Sequence, residues 1–451
     1  MPAVPPISRV VLINDFSIAR GGATTLVLLL LRLLRARGIP VTMIVGDDND
    51  NPLFDELGVD VVRLGQKALL GGNPLRTAIN GIDNRSARAL LSDWIARNDT
   101  PGTVYHVHVW SQILSPAIFE PLRRVAGRTA IHAHDFFHAC PNGAYMDYRR
   151  EERCMRVPLS ASCLGTNCDR RAYAHKLWRA ARQTRLTLAM GRDVPWGRIV
   201  LIHEKMIDGF SRAGYDAQLL QAVRNPALPF VEERVTTERN RSIFFIGRLE
   251  QEKGAQDALA AARRANVPLE IIGDGPMRAE LEAQYPEMTF HGWREQREIG
   301  ALIRHARALV IPSRLPEPFG LVAVEAAASG VPIVLTEMAF LADEIVARGM
   351  GLACNTQDIA AFAQALRSIA DMPAEEMRRM SQRAFANGMK LANTQSDWAD
   401  GLVARGVAGR RPARLRGPCG KGARRGAGAR GAASLHARLT IRPVQPAARC
   451  G

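Results

Sequence analysis

The chain has 451 residues, 47% of them hydrophobic, so it is long enough to form two or three domains with sizeable cores. Its formal net charge is +16, but residues 401–451 contain twelve Lys and Arg and no acidic residue, which leaves only +4 for residues 1–400. A nucleic-acid-binding function would therefore depend on the C-terminal tail, and the mildly basic body argues against it.

The N-terminal stretch MPAVPPISRVVLIND lacks the long apolar segment after basic residues that a signal peptide has. The longest apolar run near it, Leu26–Leu31, ends at Arg32 and is far shorter than the ~20 residues needed to cross a bilayer. We therefore expect a cytoplasmic protein whose thiols are reduced.

The first half of the chain alternates short strand-like runs with helical stretches. The runs are RVVLIND, VTMIVG, VDVVRL, TVYHVHV, TAIHAH and RIVLIH. A turn with Gly21 and Gly22 follows the first run and leads into an amphipathic helix. This alternation predicts an α/β domain with a parallel, doubly wound sheet over residues 1–225.

Histidines stand near the ends of two of these strands. His106 and His108 are two residues apart, so their side chains share a face of the sheet. His134 and Asp135 end the next strand and are predicted to line the side of a cleft that holds an acceptor. A strand-end histidine is also often an ordinary hydrogen-bonded residue.

A long cysteine-bearing loop, residues 136–170, follows the second histidine strand. Its cysteines could hold a structural zinc ion, although the usual Cys-x2-Cys spacing is missing; free thiols or a redox pair are the alternatives. They are Cys140, Cys154, Cys163 and Cys168. Since the loop leaves a cleft-facing strand end, we expect it to shape acceptor specificity.

A basic helix with aromatic residues follows this loop in the segment RRAYAHKLWRAARQTR. Such a helix can lie on an anionic membrane, or it can be a solvated helix with one buried face. The residues that support the first interpretation are Arg171, Tyr173, Lys176, Trp178, Arg179 and Arg182.

The βα pattern restarts near residue 230, with strand-like runs SIFFIGR, PLEIIGDG, MTFHGW, ALVIPS and PIVLTE. Two successive α/β halves predict two Rossmann-like domains, residues 1–225 and 226–400, joined near residues 224–241. Such sheets bind ligands beyond the carboxyl ends of their strands, so the two domains should face each other across a cleft.

Two glutamates interrupt the apolar stretch RLPEPFGLVAVEAAASGVP. If a helix begins at Pro318, then Glu325 lies seven residues on, on nearly the same face and ~10 Å along the axis. Exposed first-turn amides favour a phosphate, and a carboxylate can accept bonds from two neighbouring hydroxyls. We predict a diphosphate at the helix start, a ribose diol on Glu325 and a transferred sugar on Glu317. The predicted first-turn amides are those of Phe319, Gly320 and Leu321.

These motifs together resemble a known family. EPFGLVAVE fits the E-x7-E motif of the retaining GT-B glycosyltransferases of family 4, the glycosyl transferases group 1. FFIGRLEQEKG, IIGDGP and FHGW resemble family segments in the same order, as does the early Gly21-Gly22 turn. The resemblance covers about residues 8–400, and the cysteine-bearing loop is similar to loops of bacterial polysaccharide glycosyltransferases.

The resemblance implies a GT-B fold and retaining, metal-independent transfer from a nucleoside-diphosphate sugar. Catalytic roles are implied for Glu317, Arg248 and Lys253, and for His108 as the strand-end histidine beside the donor sugar. In this family the leaving phosphate takes the acceptor proton, so no protein base is needed, and the resemblance also implies that no cofactor is required. The implied donor-binding residues are Gly21, Gly22, Arg248, Lys253, Gly273, Glu317, Phe319, Gly320, Leu321 and Glu325.

The sequence therefore predicts a hexosyl-type glycosyltransferase that acts on a saccharide or lipid-linked saccharide in cell-surface polysaccharide synthesis, with peripheral contact to the inner face of the membrane. A sugar phosphorylase or a nucleotide-sugar epimerase on the same fold is the alternative. The Arg-, Gly- and Ala-rich tail, residues 401–451, has three interpretations: a disordered tail, a polyanion-binding arm, or the product of a frame error.

Overall fold

The computed structural model describes residues 6–19, 21–69, 71 and 74–408, and all structural statements concern this part of the chain. The three interpretations of the tail fall almost wholly outside the described residues. Residues 401–408 are the exception. They form the end of the last helix, whereas the sequence analysis assigned every residue from 401 onward to the tail.

The first sheet contains seven strands that are mostly fully buried, as their β-branched runs predict. They are β1 Arg9–Asn14, β2 Val41–Val45, β3 Asp60–Arg63, β4 Thr103–Val107, β5 Thr129–Ala133, β8 Arg198–Leu201 and β9 Leu220–Ala222. A short antiparallel pair, β6 Met146–Asp147 and β7 Glu152–Arg153, lies inside the cysteine-bearing loop.

Helices cover both faces of this sheet. They are α1 Gly22–Ala36, α2 Pro52–Glu56, α3 Pro74–Ile82, α4 Arg85–Asn98, α5 Phe119–Leu122, α6 Ala161–Leu164, α7 Tyr173–Met190 and α8 Met206–Arg212. The leucine stripe of α1 packs against Val10 and Leu12 of β1 in one core, while Val11 and Ile13 point into the core on the other face. The alternation of side chains along β1 explains this division.

The second half of the described chain builds a six-stranded sheet. Its strands are β10 Ser242–Ile246, β11 Leu269–Ile272, β12 Thr289–Gly292, β13 Ala306–Ile311, β14 Ile333–Thr336 and β15 Gly351–Cys354. Its helices are α9 Ala255–Ala265, α10 Arg278–Gln284, α11 Gln296–Ile303, α12 Leu321–Ala328, α13 Ala342–Ala347, α14 Ile359–Ala370, α15 Ala374–Asn387 and α16 Gln395–Ala408.

Both sheets are parallel and share one winding pattern. The first has the order β3-β2-β1-β4-β5-β8-β9 and the second β12-β11-β10-β13-β14-β15. In each, the chain winds outward in one direction and then in the other, so the order reverses beside the first strand. A crevice opens at the carboxyl ends of the strands at this reversal, between β1 and β4 and between β10 and β13. The sequence predicted this doubly wound α/β architecture.

The two halves meet directly within the described chain. The Phe136 and Phe340 rings pack at 6.1 Å, and both belong to a core that spans both halves. The last helix, α16, then returns to the first half, where Trp398, Ala399 and Leu402 are buried with the leucines of α1. The sequence analysis did not anticipate this return, because it ended the second domain at residue 400.

Candidate active site

A cavity of about 1050 Å³ lies between the carboxyl ends of the two sheets. The first half contributes the end of β5, the cysteine-bearing loop and α7. The second half contributes the loops after β10 and β13. Among its lining residues are His134, Asp135, Phe137, Trp178, Arg182, Arg248, Glu252, Lys253, Ser313 and Glu317. The structure therefore brings residues from both predicted domains into one site.

The best-defined polar group in the cavity is built around Glu317. One carboxylate oxygen accepts a hydrogen bond from Lys253 Nζ at 2.9 Å, and the other accepts one from Ser313 Oγ at 2.6 Å. Burial alone would raise the pKa of Glu317, but the Lys253 ammonium and the Ser313 hydroxyl hold that pKa below its usual range. Glu317 is therefore an ionised, fixed acceptor with a cation beside it.

Helix α12 begins at Leu321 and not at Pro318 as the sequence analysis supposed. Gly320 precedes it as the N-cap residue, with φ 64°, a left-handed conformation that favours glycine. Phe319 precedes the N-cap residue, so its amide is not a first-turn helix amide, and its side chain is 3% exposed and packs in the core. The backbone N–H groups of the first helical turn begin at Leu321, four residues after Glu317.

Glu325 lies in the second turn of α12 and has a different environment from Glu317. Burial raises its pKa from 4.5 to about 7, and in the described chain no cation or hydrogen-bond donor contacts the carboxylate. Neither Glu325 nor Gly320 lines the cavity, which ends at Pro318 on this side. The predicted contact of Glu325 with a ligand remains untested by this geometry.

Arg248 is the most exposed of the predicted site residues. Its side chain is 62% exposed on the cavity wall and forms an ion pair with Glu250 at 2.8 Å. An exposed pair of this kind is weak, so the guanidinium can exchange its partner for an anionic ligand. Arg248 and Lys253 thus place two positive groups on the same wall as Glu317.

The predicted glycines play distinct roles. Gly21 is the N-cap of α1, and a Cβ on Gly22 would lie 3.8 Å from Leu321 Cδ1, so the starts of α1 and α12 face each other across the cleft. A Cβ on Gly273 would lie 1.8 Å from the Gly247 carbonyl oxygen. Gly273 is therefore required for close packing of two strand ends, which is a structural reason for a residue assigned to donor binding.

Four histidines form a stacked row on one face of the first sheet, as the spacing of His106 and His108 predicted. The His106 and His132 rings lie 5.4 Å apart at 9°, and the His132 and His134 rings 4.4 Å apart at 12°. Burial lowers the pKa of His106 to about 3 and that of His134 to about 4, so these rings are neutral at pH 7.

The structure corrects the assignment of His108 as the histidine beside the donor. His108 is 2% exposed and is not part of the cavity wall, whereas His134 is. His108 Nδ1 lies 3.1 Å from His134 Nε2, so His108 contacts the cleft only through its neighbour. Strand β4 ends one residue before His108, and β5 ends one residue before His134, but His108 is buried and His134 is only partly buried.

Nitrogen atoms of His106, His108 and His132 lie within 4.8 Å of one another, and each ring has a buried nitrogen without a hydrogen-bond partner. Three such rings could approach a metal ion. A lone pair lies in the plane of its ring, however, so the nearly parallel rings of His106 and His132 cannot both direct one at the same ion unless a ring turns. We therefore describe this group as a neutral stacked row.

Asp135 lies beside His134 on the cavity wall. One carboxylate oxygen accepts the backbone N–H of Phe137 at 2.9 Å. Burial raises the pKa of Asp135 to about 6, although that N–H and the nearby Arg182 act in the opposite direction. The predicted acceptor-side pair thus combines a neutral imidazole with a carboxyl group that titrates close to neutral pH.

The four cysteines of the loop are all buried and unpaired by disulfides. Among the described residues, no three of their sulfur atoms lie within 4.8 Å of one another, and the structural zinc option stays a prediction. Instead, Lys176 Nζ approaches Cys168 Sγ at 3.0 Å and Cys163 Sγ at 3.4 Å, and Arg156 donates to Cys154 Sγ at 3.6 Å. Cationic side chains thus contact three of the four thiols, and Cys140 Sγ donates to Asn142 Oδ1 at 3.1 Å.

The cations of α7 point into the protein, contrary to the interpretation of this helix as a basic membrane surface. Lys176 is 1% exposed, Arg179 pairs with the buried Asp169 at 2.9 Å, and Arg182 donates to the Ser111 carbonyl at 3.0 Å. The Arg182 guanidinium also lies over the rings of Phe137, Trp110 and Trp178 at 5.0 to 5.8 Å.

The sequence analysis missed several residues of the site. Ser313 stands four residues before Glu317 at the end of a strand, a position where strand-end polar residues meet ligands, so its place was a usable signal. Arg314 forms an ion pair with Asp257 at 2.6 Å and reaches Glu151 in the cysteine-bearing loop at 3.5 Å. No local pattern indicates that pairing, because its partners are far apart in the chain.

Comparisons with known proteins agree with this architecture. Residues 230–386 match the family described as Glycosyl transferases group 1. A 162-residue stretch is 37% identical to glycogen synthase of Mycobacterium tuberculosis, covering 34% of this chain and 39% of that protein. A 154-residue stretch is 32% identical to D-rhamnosyltransferase WbpZ of Pseudomonas aeruginosa, covering 32% of this chain and 40% of that protein. The matches thus span about two fifths of these relatives.

Solved structures extend the likeness to most of the chain. Anabaena HepE, in complex with UDP and glucose, superposes with a TM-score of 0.60 at 15% identity, covering 88% of this chain and 98% of its own. Sucrose-phosphate synthase from Thermosynechococcus elongatus superposes with a TM-score of 0.60 at 18% identity, covering 89% of this chain and 97% of its own. At these identities the likeness establishes the fold, and it confirms the predicted GT-B class.

Fold and cleft therefore define a GT-B protein with two facing Rossmann-like sheets. More narrowly, residues 230–386 match the glycosyl transferases group 1 family, and this stretch contains Lys253, Ser313 and Glu317. Within the described residues, no helix combines the length and the apolar character needed to span a bilayer.

Proposed function

We propose that this protein is a retaining, metal-independent glycosyltransferase. It moves a hexosyl group from a nucleoside-diphosphate sugar to a saccharide or lipid-linked saccharide. Residues 226–400 serve the donor and residues 1–225 the acceptor. The similarity of the cysteine-bearing loop to bacterial polysaccharide glycosyltransferases favours a role in cell-surface polysaccharide synthesis on the cytoplasmic side.

The observation that carries this proposal is the group formed by Lys253, Ser313 and Glu317 on the cavity wall, next to Arg248. Departure of a nucleoside diphosphate develops negative charge, which fixed cations stabilise most effectively in a partly dehydrated site. Arg248 and Lys253 provide that charge without a divalent ion. Glu317, already ionised and oriented, accepts hydroxyl groups of the transferred sugar.

Donor binding also explains the lone charge in α12. Glu325 accepts hydrogen bonds from the two hydroxyls of the ribose, which offset the cost of desolvating this partly buried carboxylate. The facing starts of α1 and α12, at Gly22 and Leu321, flank the diphosphate. The acceptor hydroxyl attacks from the side of the leaving group and its proton passes to the leaving phosphate, so the anomeric configuration is retained.

The first experiment is a thermal-shift panel of UDP-, GDP- and ADP-sugars, because a ligand that binds the native state raises the melting temperature by mass action. One nucleotide sugar should give a dose-dependent shift in the presence of EDTA, and Lys253→Ala should reduce it. Lys390→Ala, which removes an exposed lysine that does not line the cavity, is the matched control.

A shift with no nucleotide sugar, but with a sugar phosphate, would favour a phosphorylase and contradict the proposal. Once the donor is known, NMR of the product with candidate acceptors reports the anomeric configuration. Inversion would overturn the proposed retaining course without affecting the assignment of the donor site.

A further inference from the structure

Two buried thiols share one buried ammonium group in the first half of the chain. Lys176 Nζ lies 3.0 Å from Cys168 Sγ and 3.4 Å from Cys163 Sγ, and the three residues are 1%, 3% and 5% exposed. Burial alone would lower the pKa of Lys176, but the two cysteines raise it above its usual value, so the amine is charged. The proposed transfer of a sugar uses none of these three side chains.

The chain turns between the two cysteines. The Cys168 N–H donates to the Thr166 carbonyl at 3.0 Å, and the Thr166 N–H donates to the Cys163 carbonyl at 3.4 Å. Helix α6 contains Cys163 and ends at Leu164, just before this turn. Because both sulfur atoms also contact the same nitrogen atom, the turn directs both thiols to one point in the protein.

The other two cysteines of the loop have hydrogen-bond partners other than Lys176. Cys140 Sγ donates to Asn142 Oδ1 at 3.1 Å, and Arg156 donates to Cys154 Sγ at 3.6 Å. Among the described cysteines, the pair on Lys176 is therefore the one that shares a cation.

The surroundings of this pair suit a reaction with a small peroxide. The thiolate is the form of cysteine that peroxide oxidises, and a neighbouring ammonium favours it. The site also lies directly behind the cavity wall. Asp169 and Arg170, which follow Cys168, line the cavity, as does Asn142, whose amide lies 3.6 Å from Cys168 Sγ. A molecule the size of hydrogen peroxide thus has a short route from the cavity to the sulfur.

We propose that Cys163 and Cys168 are a peroxide-sensitive redox pair, with Lys176 as its positioning residue. The Cys168 thiolate attacks hydrogen peroxide, the O–O bond breaks, and a sulfenic acid and hydroxide form. The Cys163 thiol then attacks the sulfenic sulfur, so that an S–S bond forms and the oxygen leaves as water with the thiol proton. The two sulfurs lose two electrons to the peroxide oxygens, and a dithiol reductant reverses the change by exchange.

The disulfide would leave Lys176 without an anionic partner. In the described chain, the hydrogen-bond acceptors of its ammonium group are the two sulfurs. A buried, unpaired charge is unfavourable, so the segment between the cysteines and α7 has to rearrange. Arg170 of this segment forms an ion pair with Glu252, the residue before Lys253. Oxidation should therefore weaken donor binding. This last step rests on the proposed function, whereas the redox pair itself does not.

The experiment is titration of the reduced full chain with hydrogen peroxide, followed by alkylation and peptide mass spectrometry. We expect a Cys163–Cys168 linkage about 2 Da lighter than the dithiol, which dithiothreitol reverses and Cys168→Ser abolishes. Cys354→Ser, which removes a free cysteine of the second half, is the matched control and should leave the linkage intact.

The role of Lys176 is tested by the pH profile of the reaction. Lys176→Met should slow formation of the linkage at least about tenfold at pH 7, and the difference should shrink near pH 9.5, where thiols ionise without a neighbouring cation. The same ratio of rates at both pH values would overturn the positioning role, because a purely structural role does not depend on ionisation of the thiols.

The wild-type peptide map decides the redox pair without any variant. Oxidation of Cys140 or Cys154 in preference to this pair overturns the proposal. So does one zinc ion per purified chain that keeps all four thiols unreactive until a chelator removes it. The thermal-shift assay, run before and after oxidation, tests the effect on the donor, for which we expect at least about threefold weaker apparent binding. Equal shifts overturn this effect, whereas no shift in the reduced chain counts against the proposed function alone.

Discussion

The polar groups on the two walls of the cleft are stabilised in different ways. The second-half wall keeps its groups charged and paired, with Glu317 held by Lys253 and Ser313. The first-half wall also carries the cations Arg179 and Arg182, but its histidines are neutral, because burial keeps the stacked rings of His134 and its neighbours from taking up a second proton. Under the proposed function, the ion-paired wall is organised for an anionic leaving group, and the neutral histidines for an uncharged sugar.

Removing the charged pair should have the largest effect. We expect Glu317→Ala and Lys253→Ala each to lower kcat by about 10² to 10³, the usual loss when a preorganised charge or donor is removed from a transition state. Circular dichroism should show both variants folded, and Lys390→Ala should retain full activity. Near-normal turnover in either purified variant would remove the basis of the site assignment.

On the first-half wall, the buried cation behind the neutral groups should matter for stability. Arg182 donates to the Ser111 carbonyl at 3.0 Å and packs on three aromatic rings. Arg182→Met should cost about 2–3 kcal/mol of unfolding free energy, the worth of a charged hydrogen bond and cation–π contacts in a buried site. Urea titration measures this, with the exposed Arg297→Met as control. A loss below about 0.5 kcal/mol would mean that the guanidinium is not buried as described.

Glu325 tests whether α12, which lies outside the cavity wall, carries an unpaired carboxylate. Its pKa rises from 4.5 to about 7 on folding, so the protonated form is favoured in the native state and stability is lost as pH rises through 7. Glu325→Gln should therefore stabilise the protein by on the order of 3 kcal/mol at pH 8 and hardly at all at pH 4.5. Denaturation experiments that measure the free energy of unfolding at both pH values test this, with the exposed Glu280→Gln as the control.

If Glu325→Gln changed the free energy of unfolding equally at both pH values, the raised pKa of Glu325 would be contradicted. A saturating donor nucleotide should reduce the difference at pH 8, because ribose hydroxyls stabilise the ionised carboxylate of the wild type.

The smallest effect should separate the two histidines. His134 lines the cavity and His108 lies behind it at 3.1 Å, so His134→Ala should lower kcat/KM by about tenfold to thirtyfold, the loss of one hydrogen bond to a ligand. His108→Ala should cost only about threefold, because it acts through the orientation of His134. If His108→Ala proves the more damaging variant, the correction made from the structure is itself wrong.

Much of the fold was predictable because it depends on local pattern. The buried β-branched runs became the strands of two parallel sheets, and the spacing of His106 and His108 placed both rings on one face. The sequence motif also indicated Glu317 before its partner was known. The start of α12 was misplaced by three residues, because Gly320 can adopt the left-handed conformation that delays the helix.

The basic helix shows why other features could not be predicted. Its sequence gives a count of cations but not their partners, which lie at Ser111, Cys163, Cys168 and Asp169. Three of these are in a loop whose course is set by contacts with both halves of the chain. Whether Lys176 faces lipid, water or two thiols is therefore a property of the packed molecule.

The sequence by itself determined the class of the fold, the carboxylate motif and the uneven charge, since these follow from periodicity and spacing along the chain. Only the tertiary structure decided which groups form the site. It brought Lys253 to within 2.9 Å of Glu317 across 64 residues, chose His134 over His108, and turned the cations of α7 inward. The physical reason is that burial and long-range pairing set the charge state and the access of a side chain, and neither is encoded within its local segment.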